Sequence, residues 1–230
     1  MASQLPPRYQ RNYKALSVED QAKLRRSSVA VLGCGGLGGS MIEELARLGV
    51  GHLVLIDGDR FDETNLNRQL LSTEHNLGQL KVEAARQRVE AVNSEVKLTI
   101  IQEWFSETNG QDFFQGVDLV MDALDTLPRR VSLEKVCHQL NIPLVYAGVA
   151  GWYGLLGVSF PGDYSVARLF RGGERGAEQH TGNPAFAPAI IASLAIVEAV
   201  KVLIGREVPL RKAWLQVDLL EMEFERFELQ

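Results

Sequence analysis

Apolar residues come in short unbroken runs, separated by stretches in which they recur every three or four positions. Val29 to Leu32, His52 to Ile56, Val96 to Ile101, Val117 to Met121 and Pro143 to Ala147 have the length and content of buried strands. Between them Met41, Ile42, Leu45 and Leu48 keep helical spacing, as do Val82, Ala85, Val89 and Val92, and then the segment Arg129 to Leu140. Strand alternating with helix predicts an α/β fold, a Rossmann-like and mostly parallel sheet with helices on both faces. Trp152 to Phe160 alternates as a sixth strand that need not be parallel, and Trp214 to Leu219 with Glu223 to Leu229 predicts a hairpin, so antiparallel strands extend the sheet. Ala185 to Ile204 predicts a long helix; Pro188, Glu198 and Lys201 within it favour burial in protein over a membrane span. Ser17 to Asp20 has the pattern of a capped helix start.

The turn between the first strand and the first long helix changes the picture. Gly33-x-Gly35-x-x-Gly38 follows a strand, opens a helix, and is followed after a second strand by Asp57. That is the dinucleotide-fold fingerprint in the context it requires. Gly33 permits the tight turn, Gly35 lets a phosphate approach the backbone, and Gly38 lets the helix pack close to the sheet. The helix N-terminus offers unpaired N–H groups to an anion, and Asp57 would accept hydrogen bonds from a ribose. A nucleotide site follows.

Other polar residues gather around this core. Gly58 to Leu80 is a long irregular connection holding Asp59, Asn65, Asn67, Arg68 and Gln69, and long loops in compact domains tend to be functional. Lys81 opens the next helix, where the dipole disfavours a cation, so either a ligand anion stands nearby or the lysine is simply exposed. The fourth strand ends on Asp122-Ala-Leu-Asp125, at the strand end that faces the ligand crevice of such sheets. Asp125 is read either as a magnesium ligand beside phosphate oxygens or as a helix N-cap ahead of Pro128. Arg8 to Tyr13 reads as a solvated basic, aromatic tail, and Pro161 to Pro184 as a polar loop with a lone, solvent-facing His180.

Composition narrows the classes. Hydrophobic residues make up 46% and charged residues 23%, as in ordinary globular proteins. The formal net charge of −5 leaves no basic surplus for neutralising a nucleic-acid backbone, so no nucleic-acid partner is expected. Cys34 lies in the glycine turn and Cys137 in a helical stretch; two such cysteines make neither a disulfide framework nor a four-cysteine zinc site. The first residues lack the apolar core of a signal peptide, so a cytoplasmic protein without a membrane partner is expected.

Taken together, these motifs resemble the E1-like adenylating enzymes, the group of ThiF, MoeB and HesA. The resemblance runs from about Arg8 to Gly205 and rests on six motifs in order: Arg8-Tyr-x-Arg11, Gly33-x-Gly-Gly-Leu-Gly38, Asp57-x-Asp59, Asn65-Leu-Asn-Arg68-Gln69, Leu77-Gly-x-x-Lys81 and Asp122-x-x-Asp125. It implies one adenylation domain over 1–230, with an N-terminal arm and helix (1–27), a Rossmann-like ATP-binding half (28–148) and an antiparallel extension with crossover loop and long helix (149–230). By this resemblance Gly36 and its neighbours hold the ATP phosphates, Asp57 the ribose, and Asp59, Asn65 and Gln69 line the same site. Arg68 and Lys81 neutralise the triphosphate, and Asp125 positions magnesium. Arg11 matches an arginine that family homodimers insert into the partner's site. The implied reaction is ATP-dependent adenylation of the C-terminal glycine carboxylate of a small ubiquitin-like, sulfur-carrier-type protein. An adenylated tRNA or other small carboxylate, a catalytically weak E1-like partner subunit and a nicotinamide-dependent oxidoreductase are the competing readings.

The chain departs from the family pattern in two places. Pro161 to Ser165 carries no C-x-x-C pair, so no zinc is expected. Ala177 to Pro184 lacks the cysteine through which some members form a thioester or persulfide, which leaves adenylation without covalent sulfur transfer.

Overall fold

A computed structural model describes residues 6–170 and 181–229. The expectation for His180 therefore lies outside the described residues, as does the first half of the cysteine-free stretch before the long helix.

Five strands, β1 (Ser28–Leu32), β2 (His52–Ile56), β3 (Lys97–Ile101), β4 (Leu119–Asp122) and β5 (Leu144–Ala150), run parallel. Three more, β6 (Tyr153–Ser159), β7 (Ala213–Asp218) and β8 (Glu223–Glu228), continue the sheet antiparallel. The eight-stranded order is β3-β2-β1-β4-β5-β6-β7-β8. Strand order therefore reverses between β1 and β4. At such a switch point the connections leave to opposite faces and open a crevice beyond the carboxyl ends of the strands.

Alternation along the strands divides the core between two layers. Val29 and Val31 face the layer formed with α1 (Val18–Arg26), α2 (Gly36–Leu48), α3 (Lys81–Val92) and the long helix; Ala30 and Leu32 face the opposite layer. That second layer holds α4 (Gly110–Phe113), α5 (Leu127–Gln139) and α6 (Ser165–Leu169). The long helix, α7 (Phe186–Ile204), buries Ala187, Ile191, Ala192, Ala195, Ile196 and Ala199 against the sheet. Its 19 residues and mean hydropathy of 2.1 would also suit a membrane span, but half of that window is buried inside the protein.

The expected elements are present with shifted ends. β5 runs on to Ala150 because its antiparallel ladder with β6 extends to Ala150–Tyr153, beyond the parallel register with β4. The stretch read as a loop after Pro161 contains α6. Glu134 draws that helix in by accepting hydrogen bonds from Val166 N (2.8 Å) and Ala167 N (2.9 Å).

The basic, aromatic start of the chain is not a solvated tail. Pro7–Asn12 forms a 3-10 helix, and Tyr9 is only 2% exposed. The Tyr9 hydroxyl accepts from Asn93 Nδ2 at 2.8 Å, and its ring fills the space that a side chain at Gly49 would need. An arm read from charge alone misses this, because one buried aromatic ring outweighs several solvated polar groups.

Candidate active site

The glycine turn is shaped by sterics. Gly33 has φ +94°, in the left-handed region, and a Cβ there would stand 2.7 Å from the carbonyl oxygen of Ala123. A Cβ on Gly38 would run into the carbonyl oxygen of Gly33, so Gly38 lies behind the turn and allows α2 to reach the sheet. Gly35 is the N-cap of α2 and offers no side-chain cap; the first bond of the helix is Gly39 N to Gly35 O at 2.8 Å. The N–H groups of Gly36, Leu37 and Gly38 therefore have no acceptor within the helix, and together with the dipole they suit an anion.

Around that helix end lies a cleft of about 790 Å³, within the range of small-molecule sites. Gly33, Gly35, Gly36, Asp57, Asp59, Asn65, Arg68, Gln69, Lys81 and Asp125 all line it. Gly38 packs beneath it as described. Arg11 is not among the lining residues; it is exposed on the N-terminal 3-10 helix.

The acidic and basic groups are held in different ways. Asp57 is buried at the end of β2, and each of its oxygens accepts one backbone N–H: Oδ2 from Cys34 (2.7 Å) and Oδ1 from Asp59 (2.8 Å). These bonds tie the end of β2 to the glycine turn and leave each oxygen a lone pair for another donor. Lys81 is 6% exposed, which excludes the reading of an exposed lysine. Its Nζ lies 2.6 Å from Asp59 Oδ2 and 5.9 Å from the centre of the Phe61 ring. A half-buried Arg68 donates from Nη1 to Thr64 O (3.0 Å) and Asn67 Oδ1 (2.7 Å).

Asp125 is exposed on the loop after β4 and makes no side-chain hydrogen bond among the described residues. It is not the N-cap of α5. Thr126 holds that position and makes no side-chain cap bond, because the turn into the helix begins one residue later than the aspartate. Its neighbour Asp122 is fully buried and pairs with Arg130 at 3.2 Å. Burial pushes the Asp122 carboxyl above its usual range, against the charge of Arg130 and the Leu124 N–H.

Two buried polar atoms on the cleft wall, Gln69 Oε1 and Asn183 Oδ1, lack partners among the described residues. Space for a ligand remains in front of Gly35, where a Cβ would come no closer than 3.7 Å to the Gln69 amide. Orphaned amides, free helix N–H groups, two cations and a free carboxylate fit a nucleotide triphosphate with one hard divalent cation. Both thiols are unsuited to nucleophilic work. Burial raises the Cys34 pKa, helped by the Asp57 charge, and burial raises that of Cys137 likewise, helped by Asp122.

Several lining residues escaped the sequence reading. Trp104 stands 54% exposed just past β3, with the Arg129 guanidinium 5.1 Å from its ring centre. The rule that ligands sit beyond strand ends would have marked it, had it been applied to β3 as it was to β2 and β4. Tyr153, Leu155, Trp214 and Gln216 line the far end of the cleft. They share it through the β6–β7 register, in which Leu155 pairs with Gln216 and Gly157 with Trp214. No local pattern announces such a pairing.

Comparison with known proteins agrees with this geometry. The profile of the ThiF family matches residues 9–230. A sulfur carrier protein adenylyltransferase of Thermus thermophilus is 31% identical over 222 residues, covering 92% of this chain and 82% of that protein. A tRNA threonylcarbamoyladenosine dehydratase of Bacillus subtilis is 39% identical over 138 residues, covering 60% of this chain and 54% of its own length. The chain spans about half the length of the first curated relatives it matches. Among solved structures, E. coli MccB superposes with a TM-score of 0.82 at 25% identity, over 97% of this chain and 69% of that one.

Proposed function

This chain belongs to the ThiF family, and on that premise we propose that it is an ATP-dependent adenylyltransferase acting on the C-terminal carboxylate of a small ubiquitin-like, sulfur-carrier-type protein. The observation that carries the reading is the continuity of one cleft. It joins the N-terminal end of α2, Asp57, Lys81 and Asp125 to the Tyr153–Trp214 face of the antiparallel extension, leaving room for a nucleotide and an extended peptide end to meet.

The chemistry suits these groups. A carboxylate oxygen attacks the α-phosphorus of ATP, a new P–O bond forms, and the bond to the bridging oxygen breaks to release pyrophosphate. The nucleophile is already ionised, so the site must neutralise and position charge rather than remove a proton. Lys81, held by Asp59, and Arg68 supply positive charge, the α2 N–H groups bind phosphate oxygens, and Asp57 orients the ribose. Magnesium held by Asp125 would screen the phosphate oxygens of the triphosphate. The enzyme would act in the cytoplasm as a homodimer in which Arg11 serves the other subunit's cleft.

A direct test is pyrophosphate exchange into ATP with a panel of small ubiquitin-like proteins ending in glycine, preceded by thermal melts with ATP, ATP plus magnesium, and NAD. A ligand that binds only the folded state raises the melting temperature. The reading expects a shift with ATP that grows with magnesium, then exchange with at least one glycine-ended protein. Exchange only with a modified tRNA would redirect the activity to that acceptor, as the 39% relative suggests. A shift with NAD alone would sink the proposal.

A further inference from the structure

The turn between β6 and α6 is strained and is held from outside. Gly162 has φ +91° and Tyr164, two residues on, has φ +52°, both in the left-handed region. Glycine adopts that conformation freely, whereas for a tyrosine it is costly and persists only where the surroundings impose it. α6 adds little hold of its own. Of its five residues Ser165 and Val166 are buried, and Ser165 Oγ has no partner among the described residues.

Three side chains close the turn. Glu134 accepts from Val166 N and Ala167 N, and from Ser159 Oγ at 2.5 Å. Asp163, 3% exposed, meets Arg211 Nε at 2.9 Å and Lys212 Nζ at 3.6 Å. His138 accepts the Gly162 N–H on Nδ1 at 2.8 Å, and its ring centre lies 4.6 Å from that of Tyr164. One imidazole therefore touches both left-handed residues.

We propose that His138 is a pH-sensitive catch on α6 and, through α6, on the cleft: the neutral imidazole closes the turn and the protonated imidazole releases it. A backbone N–H can only donate, so the bond needs the lone pair on Nδ1, with the ring proton on Nε2. Protonation puts a second N–H where the acceptor was. The closed turn thus binds one proton fewer than the released turn, and acidification shifts the balance toward release. Imidazole makes this change between about pH 5 and 8.

The groups around the ring do not reverse that sign. Glu134, one turn earlier on α5, has both oxygens engaged by α6 and Ser159, and the neighbouring Cys137 is a buried thiol. Across the turn Asp163 is engaged by Arg211, Lys212 and the Phe160 N–H (3.1 Å), and Tyr164 is uncharged in this range. Two carboxylates and two cations balance, so the lost hydrogen bond decides.

α5 stays in place when the catch opens, because Arg130 ties it to Asp122 and Ala147. α6 is the movable partner. It packs against β6, the strand that carries Tyr153 and Leu155, and Leu169 at its end and Phe170 after it line the cleft. Release of the turn loosens this wall, on the side given to the acceptor. The effect on the acceptor rests on the reading proposed above; the catch does not.

Amide NMR of the full chain reads the catch directly. Between about pH 7.5 and 5.5 the Gly162 amide should shift with the titration of His138 in wild type. His138→Asn, whose Oδ1 accepts but takes up no proton, should hold that amide at its neutral-pH position throughout. His138→Leu, with no acceptor, should show the released position even at neutral pH. A Gly162 amide that ignores pH in wild type, or moves equally in His138→Asn, would overturn the proposal. Pyrophosphate exchange reads the link to the cleft. Acidification should raise the KM for the protein acceptor by roughly 5-fold in wild type, the worth of one hydrogen bond, and leave His138→Asn flat. The ATP-induced melting shift should be alike in both. Equal acid profiles would refute the link. Absence of exchange at every pH would instead count against the adenylation reading, and the Gly162 amide would still decide for or against the catch.

Discussion

Replacing Arg130 by methionine tests the link between the buried electrostatics and the active-site loop. Arg130 is 6% exposed and Asp122 is fully buried. Its guanidinium donates to Asp122 Oδ2 (3.2 Å), to Ala147 O (2.5 Å) and to Leu124 O, tying the end of β4, the loop leading to Asp125 and strand β5 together. Methionine keeps much of the volume but leaves a buried carboxylate without its counter-charge, which costs roughly 3–5 kcal/mol. For a domain of this size about 1 kcal/mol corresponds to roughly 2–4 °C, so the melting temperature should fall by about 10 °C near neutral pH. The sign of the pH effect follows from burial, which already raises the Asp122 pKa and would raise it further without Arg130. A carboxyl whose folded pKa lies above its unfolded value is bound to its proton more tightly in the folded state. Acidification between those two values therefore favours folding. The deficit of Arg130→Met relative to wild type should accordingly shrink as the pH is lowered from about 7.5 to about 5.5 in urea titrations. Adding Asp122→Asn should recover part of the loss, the signature of two residues acting as a pair. Equal stability of wild type and Arg130→Met, or a deficit that ignores both pH and the second substitution, would refute the reasoning.

Three other outcomes follow from the geometry. Lys81→Ala should lower pyrophosphate exchange by on the order of 10²-fold or more in initial-rate assays, the loss seen when a charge-stabilising group leaves a site; unchanged rates would remove Lys81 from catalysis. Gly38→Ala places a methyl group against the Gly33 carbonyl, so α2 must move off the sheet, and both the urea midpoint and the ATP-induced melting shift should drop. Glu43 loses solvation, which raises its pKa, but hydrogen bonds from Arg88 (2.8 Å) and Arg47 (2.8 Å) more than offset this and hold it below its ordinary 4.5. With a depressed folded pKa, its contribution is present above that ordinary value and is lost as the pH falls through the lower one. Glu43→Gln should therefore flatten the acid limb of the stability–pH curve, and an unchanged limb would contradict the assignment.

The local signals that proved legible share a physical basis. The Gly33–Gly38 turn, the strand–helix alternation, the capping box at Ser17 and the run from Asn65 to Gln69 are all encoded within a few residues, where steric and hydrogen-bonding rules act directly. Such a reading also brought Asp57, Lys81 and Asp125 to one place, since strand ends of a doubly wound sheet converge at the switch point. It failed where one contact outweighed a local average. Tyr9 anchors a segment whose composition suggested solvent.

By itself, then, the order of residues determined the class of fold, the glycine turn ahead of α2 and the set of charged groups around it, because each depends on near neighbours. Tertiary structure alone decided the far wall of the cleft, the Arg130 tether and the exposed stripe of α7. These depend on register across β6 and β7, on a buried charge finding its partner eight positions away through a folded loop, and on which helix face the sheet covers first. Side-chain periodicity shows that α7 is apolar nearly all round; only the packed sheet shows which part of that surface stays exposed.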